Sequence, residues 1–273
     1  MKKKTSKFFK NLIIILNRQD MAVLPSQLAF NFVLAIVPTL TIVTLIANIF
    51  NISMQDINSY FNLNLSPSIY NMLKPSVHMP GYRISLILLL LIGIYISSNG
   101  MSSMIVAANN IYDIKQSSWL NRKIKGVIMV FIIIMLFLFV LFVPVFGNFI
   151  LNLLENATGQ KVIYDIISIL KTPFSWIIIY VFIKVLYTIA PDKNISSKEV
   201  TRGALFTTVG WIIATYVYLY YVNNFSNYAV FYSGLSNIAI LMIWIYLLAF
   251  IFVIGMGINY QYELDKKGIK LKK

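Results

Sequence analysis

The side chains that most often catalyse hydrolysis or bind metal ions are few in this sequence. Its 273 residues include one histidine, nine acidic residues and no cysteine. Phosphodiester hydrolysis generally needs two or more converging carboxylates or histidines that hold a metal ion and activate water, and the acidic residues here show no metal-ligand spacing. The lack of cysteine excludes disulfides, thiolate catalysis and cysteine-ligated zinc. The sequence therefore predicts no catalytic residue, no metal site and no cofactor.

Uncharged polar side chains are a second group of candidates, and they concentrate in the apolar stretch 28–49. At about 100° per residue, Asn31, Pro38, Thr41, Thr44 and Asn48 fall within an arc of roughly 140° on a helix. Such an arc gives an otherwise apolar helix one polar side, which is suited to lining a pathway for a solute. For each residue, a hydrogen bond between helices, worth about 0.6 kcal/mol, is the alternative role. The predicted pathway residues are Asn31, Pro38, Thr41, Thr44, Asn48 and, near the end of the chain, Asn259.

The composition indicates that these residues are carried by membrane helices. The chain is 59% hydrophobic and 12% charged, whereas roughly one quarter of the residues of a soluble domain are charged. About 20 apolar residues in a helix cross a bilayer core. We therefore expect an all-α, polytopic membrane protein in which residues 1–273 form a single membrane domain. Its six predicted transmembrane helices cover residues 28–49, 84–106, 126–149, 173–189, 203–222 and 235–258.

The basic residues predict the orientation of these helices. Of the 23 Lys and Arg residues, 18 lie in the N-terminal segment, the loops after the second and fourth spans, and the C-terminal tail. The positive-inside rule then places both termini in the cytoplasm. Residues 1–27 combine lysines with Phe and Ile, which predicts an interfacial amphipathic helix, and residues 259–273 form a basic cytoplasmic tail. Lys184 lies inside a span, close enough to the cytoplasmic edge for its ammonium group to reach the headgroups.

Small residues recur at helical spacing in two of the predicted spans. Gly93, Ser97 and Gly100 share one side of the second span, and Gly203 and Gly210 share one side of the fifth. Small side chains at such intervals let a second helix approach closely. Both groups therefore predict seams of helix packing.

Short motifs spread over most of the chain give a further indication of its class. The motifs are Leu28-Ala29-Phe30 followed by Pro38, Asn110-Ile111-Tyr112-Asp113, Arg202-Gly203-Ala204, Tyr232-Ser233-Gly234-Leu235, and Trp244, Tyr246, Gly255 and Asn259. In order and spacing they resemble the YihY/virulence factor BrkB family of bacterial inner-membrane proteins, once labelled ribonuclease BN. One departure is the segment Gly255-Met256-Gly257-Ile258-Asn259, where the family commonly has Gly-Ala-Glu-Leu-Asn. The resemblance thus implies that any proton coupling through that glutamate is absent here.

These observations lead to two hypotheses of different kinds. The first is a transporter-like protein of the bacterial cytoplasmic membrane that moves a lipid or a small amphipathic solute through a polar cavity lined by helices. The second is a non-transporting assembly or scaffold protein of the cell envelope. A nuclease is disfavoured, because the carboxylates lack metal-ligand spacing. The net charge of +14 is explained by topology, so the expected partners are membrane lipids, with anionic headgroups at the cytoplasmic face, and not nucleic acid.

Overall fold

The structure, a computed structural model, describes residues 13–15, 17, 23–35, 82–136, 161–225 and 235–269 of the chain. Within these ranges the backbone forms helices joined by turns and connecting segments, without a β-strand, so the prediction of an all-α fold is confirmed for them. The longer helices, in chain order, are α1 (Val23–Ala35), α2 (Tyr82–Ile111), α3 (119–136), α4 (Lys161–Ile189), α5 (Thr201–Phe225) and α6 (Leu235–Lys267).

Among the described residues, three helices contain segments that are long and apolar enough to cross a bilayer. The described part of α1 and the second part of α4 are apolar too, but these segments are shorter than the roughly 20 residues that a bilayer core requires. The parts of the predicted spans 28–49 and 126–149 that follow residues 35 and 136 lie outside the described residues. The three longer segments are Leu91–Ile111 of α2, Thr201–Val222 of α5 and Ala239–Lys267 of α6.

The exposed faces of these helices are apolar, as expected for contact with lipid. On α5, Leu205, Ile213 and Val217 are 59%, 58% and 60% exposed, and on α3 Leu120 and Ile124 are also exposed. Soluble proteins rarely present contiguous apolar surface of more than a few hundred Å² to water. Acyl chains cover such faces without exposing them to water, so the exposure pattern agrees with a membrane protein.

The helices α2, α4, α5 and α6 are all longer than the predicted spans, and α4 and α6 exceed them most. α4 begins at Lys161 and continues through Pro173, where the sequence predicts a start. α6 continues past residue 258, the predicted end, to Lys267. Proline removes one backbone hydrogen bond, and a membrane helix tolerates this loss when neighbouring groups satisfy the freed carbonyl. The last turns of α6 are polar, and ion pairs with neighbouring segments stabilise them.

α2 and α6 end in the same way, with a residue in the left-handed region. In α6 this residue is Gly268, with φ of 68°, and in α2 it is Asp113, with φ of 53°. At the end of α2 the Ile114 N–H donates to the Asn109 carbonyl oxygen at 2.8 Å, a bond of the Schellman type. Glycine adopts this conformation freely, whereas another residue loses about 1 kcal/mol or more. The Asp113 carboxylate accepts a hydrogen bond from the Tyr260 hydroxyl at 2.9 Å, which holds it in place.

The chain divides into two compact units. Unit 1 comprises Met1–Leu34, Asn99–Gly126 and Tyr180–Lys273, and unit 2 comprises Ala35–Ser98 and Val127–Ile179. Among the described residues of unit 2, Met129, Val130 and Ile134 are buried apolar side chains. Unit 1 holds the polar clusters, so the candidate site is found there.

Candidate functional site

Unit 1 contains a polar pocket of about 260 Å³ bounded by three helices. The two residues from α1 are spaced i and i+4, and those from α2 follow at i, i+3, i+4 and i+7, so each group lies on one side of its helix. The residues from α3 belong to its first two turns. The pocket is lined by Gln27, Asn31, Asn99, Ser102, Ser103, Val106, Trp119, Arg122 and Lys123.

The lining residues that the structure describes include two cations and no carboxylate. The Lys123 ammonium group donates to the side-chain oxygen of Asn99 at 2.6 Å. The Asn31 amide donates within its own helix, to the Gln27 carbonyl oxygen at 2.9 Å. Burial lowers the pKa of Lys123, because a partly dehydrated ammonium ion is less stable than a hydrated one. A negatively charged group in the pocket would offset that loss, so the pocket suits an anionic or strongly polar ligand.

The predicted pathway residues fall in different places. Asn31 lines the pocket, whereas Asn259 is not among the lining residues and lies where α5 meets α6. The structure therefore does not bring these two asparagines into one cavity. The other four predicted residues, Pro38, Thr41, Thr44 and Asn48, lie outside the described residues.

Glycines lie where α5 and α6 are in closest contact. A side chain at Gly203 would overlap the carbonyl oxygen of Gly255 and the side chain of Asn259. One at Gly210 would approach a methyl group of Ile251 at 2.7 Å. Small residues permit this approach, which in a membrane favours helix association through close packing.

The small residues predicted to form a seam on α2 are also buried. Gly93 and Ser97 belong to unit 2 and Gly100 to unit 1, and Ser97 is 1% exposed. The neighbouring Ser98 hydroxyl donates to the Tyr95 carbonyl oxygen at 2.7 Å. Burial of small residues at this spacing agrees with close packing of helices.

Asn259 makes a hydrogen bond that explains its burial. Its side-chain oxygen accepts the N–H of Gly203 at 2.7 Å, and the residue is 1% exposed. Gly203 lies in the first turn of α5, where backbone N–H groups have no acceptor within the helix. The Asn259 side chain therefore caps α5 from α6, in the manner of an N-cap residue.

Replacing Asn259 with leucine is expected to destabilise the protein by about 1–3 kcal/mol, because a buried N–H loses its acceptor. Asn31→Leu is the matched control, since the Asn31 amide bonds only its own helix and should change stability by no more than about 0.5 kcal/mol. Thermal unfolding of the purified protein measures both. Equal stability of the two variants would contradict the capping role.

A second polar group, the inner cluster, consists of Tyr112, Asp113, Lys193, Tyr260 and Glu263. Lys193 pairs with the Glu263 carboxylate, and its ammonium nitrogen lies 5.4 Å from the centre of the Tyr112 ring. The Tyr112 and Tyr260 rings meet edge to face at 5.4 Å, and the Tyr260 hydroxyl donates to Asp113. Burial, together with the Glu263 charge, raises the pKa of Tyr112, so the phenol stays protonated. The inner cluster joins the end of α2, the loop before α5 and the end of α6.

A third group, the inner clamp, consists of Asn109, Lys125 and Asp192. The Lys125 ammonium group donates to Asp192 at 2.7 Å and to the carbonyl oxygens of Ala190 and Pro191 at 2.9 and 2.8 Å. The Asn109 amide donates to the Asp192 carboxylate at 2.7 Å, and its oxygen accepts the Asp192 N–H at 2.8 Å. Burial tends to raise the pKa of Asp192, but hydrogen bonds from Lys125 and Asn109 outweigh it and leave the pKa below its usual range. The inner clamp thus ties α2 and α3 to the end of α4.

The sequence alone indicates no role for Asp113, Asp192 and Glu263, because their partners in the inner cluster and the inner clamp are distant in the chain. Asn109 and Asp192 are 83 positions apart, and Asp113 and Tyr260 are 147 apart. No helical or metal-ligand spacing connects such pairs. The available indication was the family-like motif that contains Asp113. Among the described residues, no group of three or more histidine, cysteine, aspartate or glutamate side chains is placed to hold a metal ion.

Comparison with known proteins adds family context to this arrangement. The sequence model of the family described as Virulence factor BrkB matches residues 14–273. A relative from Bacillus subtilis strain 168, named putative ribonuclease-like protein YfkH, is 26% identical over 247 residues, which cover 89% of this chain and 90% of the relative. A UPF0761 membrane protein from Glaesserella parasuis serovar 5 is 24% identical over 136 residues, 47% of each chain. No solved structure matches the chain.

Proposed function

Because the chain belongs to the BrkB virulence factor family, which it shares with proteins named as membrane proteins, we propose that it is a transporter-like protein of the bacterial cytoplasmic membrane. It moves a lipid or a small amphipathic solute and catalyses no covalent reaction. The observation that carries the proposal is the 260 Å³ pocket in which Asn31 faces polar side chains of α2 and two cations of α3. Such a pocket accepts a polar headgroup beside apolar helices.

The proposal includes six membrane spans with both termini in the cytoplasm. The inner clamp and the inner cluster support it, since they join the loop after α2, the loop before α5 and the end of α6. Segments in direct contact lie on the same side of the membrane. These three segments are rich in Lys and Arg, and short basic segments stay on the cytoplasmic side. The pocket, which begins at the first turn of α3, then opens toward the cytoplasm.

A polar pathway is needed because a lipid headgroup does not enter hydrocarbon unaided. Each polar group left without a hydrogen-bond partner there costs several kcal/mol. Asn31 supplies a donor and an acceptor at the pocket. Thr41, Thr44 and Asn48, outside the described residues, would continue the polar side of the first span at intervals of about one turn.

The ribonuclease-like name of the Bacillus relative is not carried over to this chain. Metal-assisted hydrolysis requires carboxylates that converge on a metal ion. Here lysines neutralise Asp192, Glu199 and Glu263 separately, through Lys125, Lys266 and Lys193. These three ion pairs attach helix ends to one another.

Lipid movement in proteoliposomes tests the proposal. The purified protein is reconstituted with a fluorescent anionic lipid, and dithionite, which reaches the outer leaflet only, quenches the fluorescence. Active protein moves labelled lipid from the inner leaflet to the outer leaflet, where dithionite reaches it. Wild type is therefore expected to lose well over half of the fluorescence. Asn31→Leu should slow this loss at least about tenfold, because an apolar side chain removes the polar partner of the headgroup.

Asn224→Leu provides a matched control on another helix. The Asn224 amide bonds the Tyr220 carbonyl oxygen four residues back at 2.8 Å, just as Asn31 bonds Gln27, but Asn224 does not line the pocket. This variant should move lipid like wild type. A plateau near one half for wild type would contradict translocation and favour the scaffold alternative. Equal rates of lipid movement for the Asn31 and Asn224 variants would show that the pocket is not part of the pathway.

A further inference from the structure

We propose that the pocket binds the phosphate group of an anionic lipid headgroup through Arg122 and Lys123, with the acyl chains outside the pocket along α3. This inference rests on the proposed function and deepens it by naming the class of substrate. Among the described residues of the lining, two are cations and none is a carboxylate, so a bound anion meets no repulsive charge from them. A lipid headgroup and a soluble phosphate ester both present a phosphate ester anion, and the ligand proposed here is the lipid.

The side chains suit a phosphate in geometry as well as in charge. Arginine presents a planar fork of N–H donors that binds two phosphate oxygens at once, and lysine adds a compact point charge. The hydrogen bond to Asn99 positions the Lys123 ammonium group at the pocket wall. Hydroxyl groups of Ser102 and Ser103 add neutral donors of the kind that commonly bind phosphate oxygens.

The size of the pocket favours a headgroup over a whole lipid. Pockets that enclose drug-sized ligands measure about 300–1,000 Å³, and this one measures about 260 Å³. Acyl chains must therefore lie elsewhere. Trp119, 64% exposed, stands at the pocket, and the exposed Leu120 and Ile124 follow it on α3. Tryptophan is enriched at the level of the headgroups, so this order of residues matches a lipid whose phosphate enters the pocket and whose chains remain in the bilayer.

The test measures lipid binding to the purified full-length protein in neutral detergent by native mass spectrometry. Phosphatidylglycerol is compared with oleate, which is anionic without phosphate, and sn-glycerol 3-phosphate serves as a soluble competitor. The double variant Arg122→Gln/Lys123→Gln is expected to bind phosphatidylglycerol about tenfold or more weakly. Arg122→Lys, which keeps the charge but lacks the fork, should lose less.

Lys115→Gln/Lys198→Gln is the matched control, because it removes the same charge from exposed residues outside the pocket. It should bind phosphatidylglycerol within about twofold of wild type. Equal losses in the two double variants would show binding by diffuse surface charge and would overturn the inference. If oleate bound as tightly as phosphatidylglycerol, the proposed role of the phosphate group would be wrong. If sn-glycerol 3-phosphate competed at concentrations similar to those of the lipid, a soluble phosphate ester and not a lipid would be the ligand.

Failure of this inference and failure of the proposed function are distinguishable. If phosphatidylglycerol binds through Arg122 and Lys123 while wild type moves no lipid in vesicles, the headgroup site stands and transport fails. If wild type moves lipid while the double variant binds and moves it equally well, transport stands and this site fails.

Discussion

Replacing Gly255 with alanine is expected to destabilise the protein by about 3 kcal/mol or more. The added methyl group would overlap the hydroxyl oxygens of Thr207 and Tyr187, which are hydrogen-bonded at 2.5 Å. Tyr187 is 1% exposed and donates to the Phe252 carbonyl oxygen at 2.8 Å, so Thr207 supplies the proton of the hydroxyl pair. Overpacking costs about 1–3 kcal/mol, and each buried hydroxyl that loses its partner adds about 1–3 kcal/mol.

Thermal unfolding of the purified protein measures this effect, with an expected fall in Tm of about 6 °C or more. Gly210→Ala is the matched control on the same contact between α5 and α6. Its new methyl group would crowd the γ2 methyl group of Ile251 at 2.7 Å, an apolar contact that breaks no hydrogen bond. A smaller loss is therefore expected for Gly210→Ala. Equal falls in Tm for the two variants would contradict the role assigned to the hydroxyl pair.

The junction between α5 and α6 shows what helical spacing predicts and what it leaves out. The intervals between Gly203 and Gly210 predict a side of α5 that another helix approaches, and the structure places α6 there. Periodicity carries no information about which residue stands opposite. The sequence therefore predicts Asn259 either as a pathway residue or as a hydrogen-bonding residue between helices, and the structure shows a bond of the second kind, from the Gly203 N–H to the Asn259 side-chain oxygen.

The pocket was predictable only in part for a similar reason. Asn31 stands out because it interrupts an apolar stretch, and a polar side chain in a membrane helix is costly unless it has a partner. Arg122 and Lys123 look like ordinary loop residues, since basic residues at the start of a span also follow from topology alone. Their meeting with Asn31 depends on how α1, α2 and α3 pack, which no local pattern in the sequence specifies.

The second large effect is expected at the inner clamp. Lys125→Met would leave the Asp192 carboxylate without its cation and the carbonyl groups of Ala190 and Pro191, just after α4, without this donor. Breaking a fully buried pair costs about 3–5 kcal/mol. Here the side chains are 22% and 18% exposed, and solvent lowers the cost, so we expect about 2 kcal/mol. Unfolding of Lys125→Met, Asp192→Asn and the double variant gives the coupling between the two residues.

The pH dependence of stability tests the same contact independently. Because the pKa of Asp192 is lower in the folded protein than in the unfolded chain, its ionised form stabilises the fold above the usual aspartate pKa of about 3.9. That contribution is lost as the pH falls through the lowered value, so wild type should lose more stability on acidification than Asp192→Asn. The control is Lys266→Met, which breaks a pair with Glu199 whose lysine is 61% exposed, and it should cost less stability than Lys125→Met because solvent screens the exposed pair. If Lys125→Met cost no more than this control, the inner clamp would be an exposed ion pair in energetic terms, and packing of the apolar faces alone would hold the helix ends together.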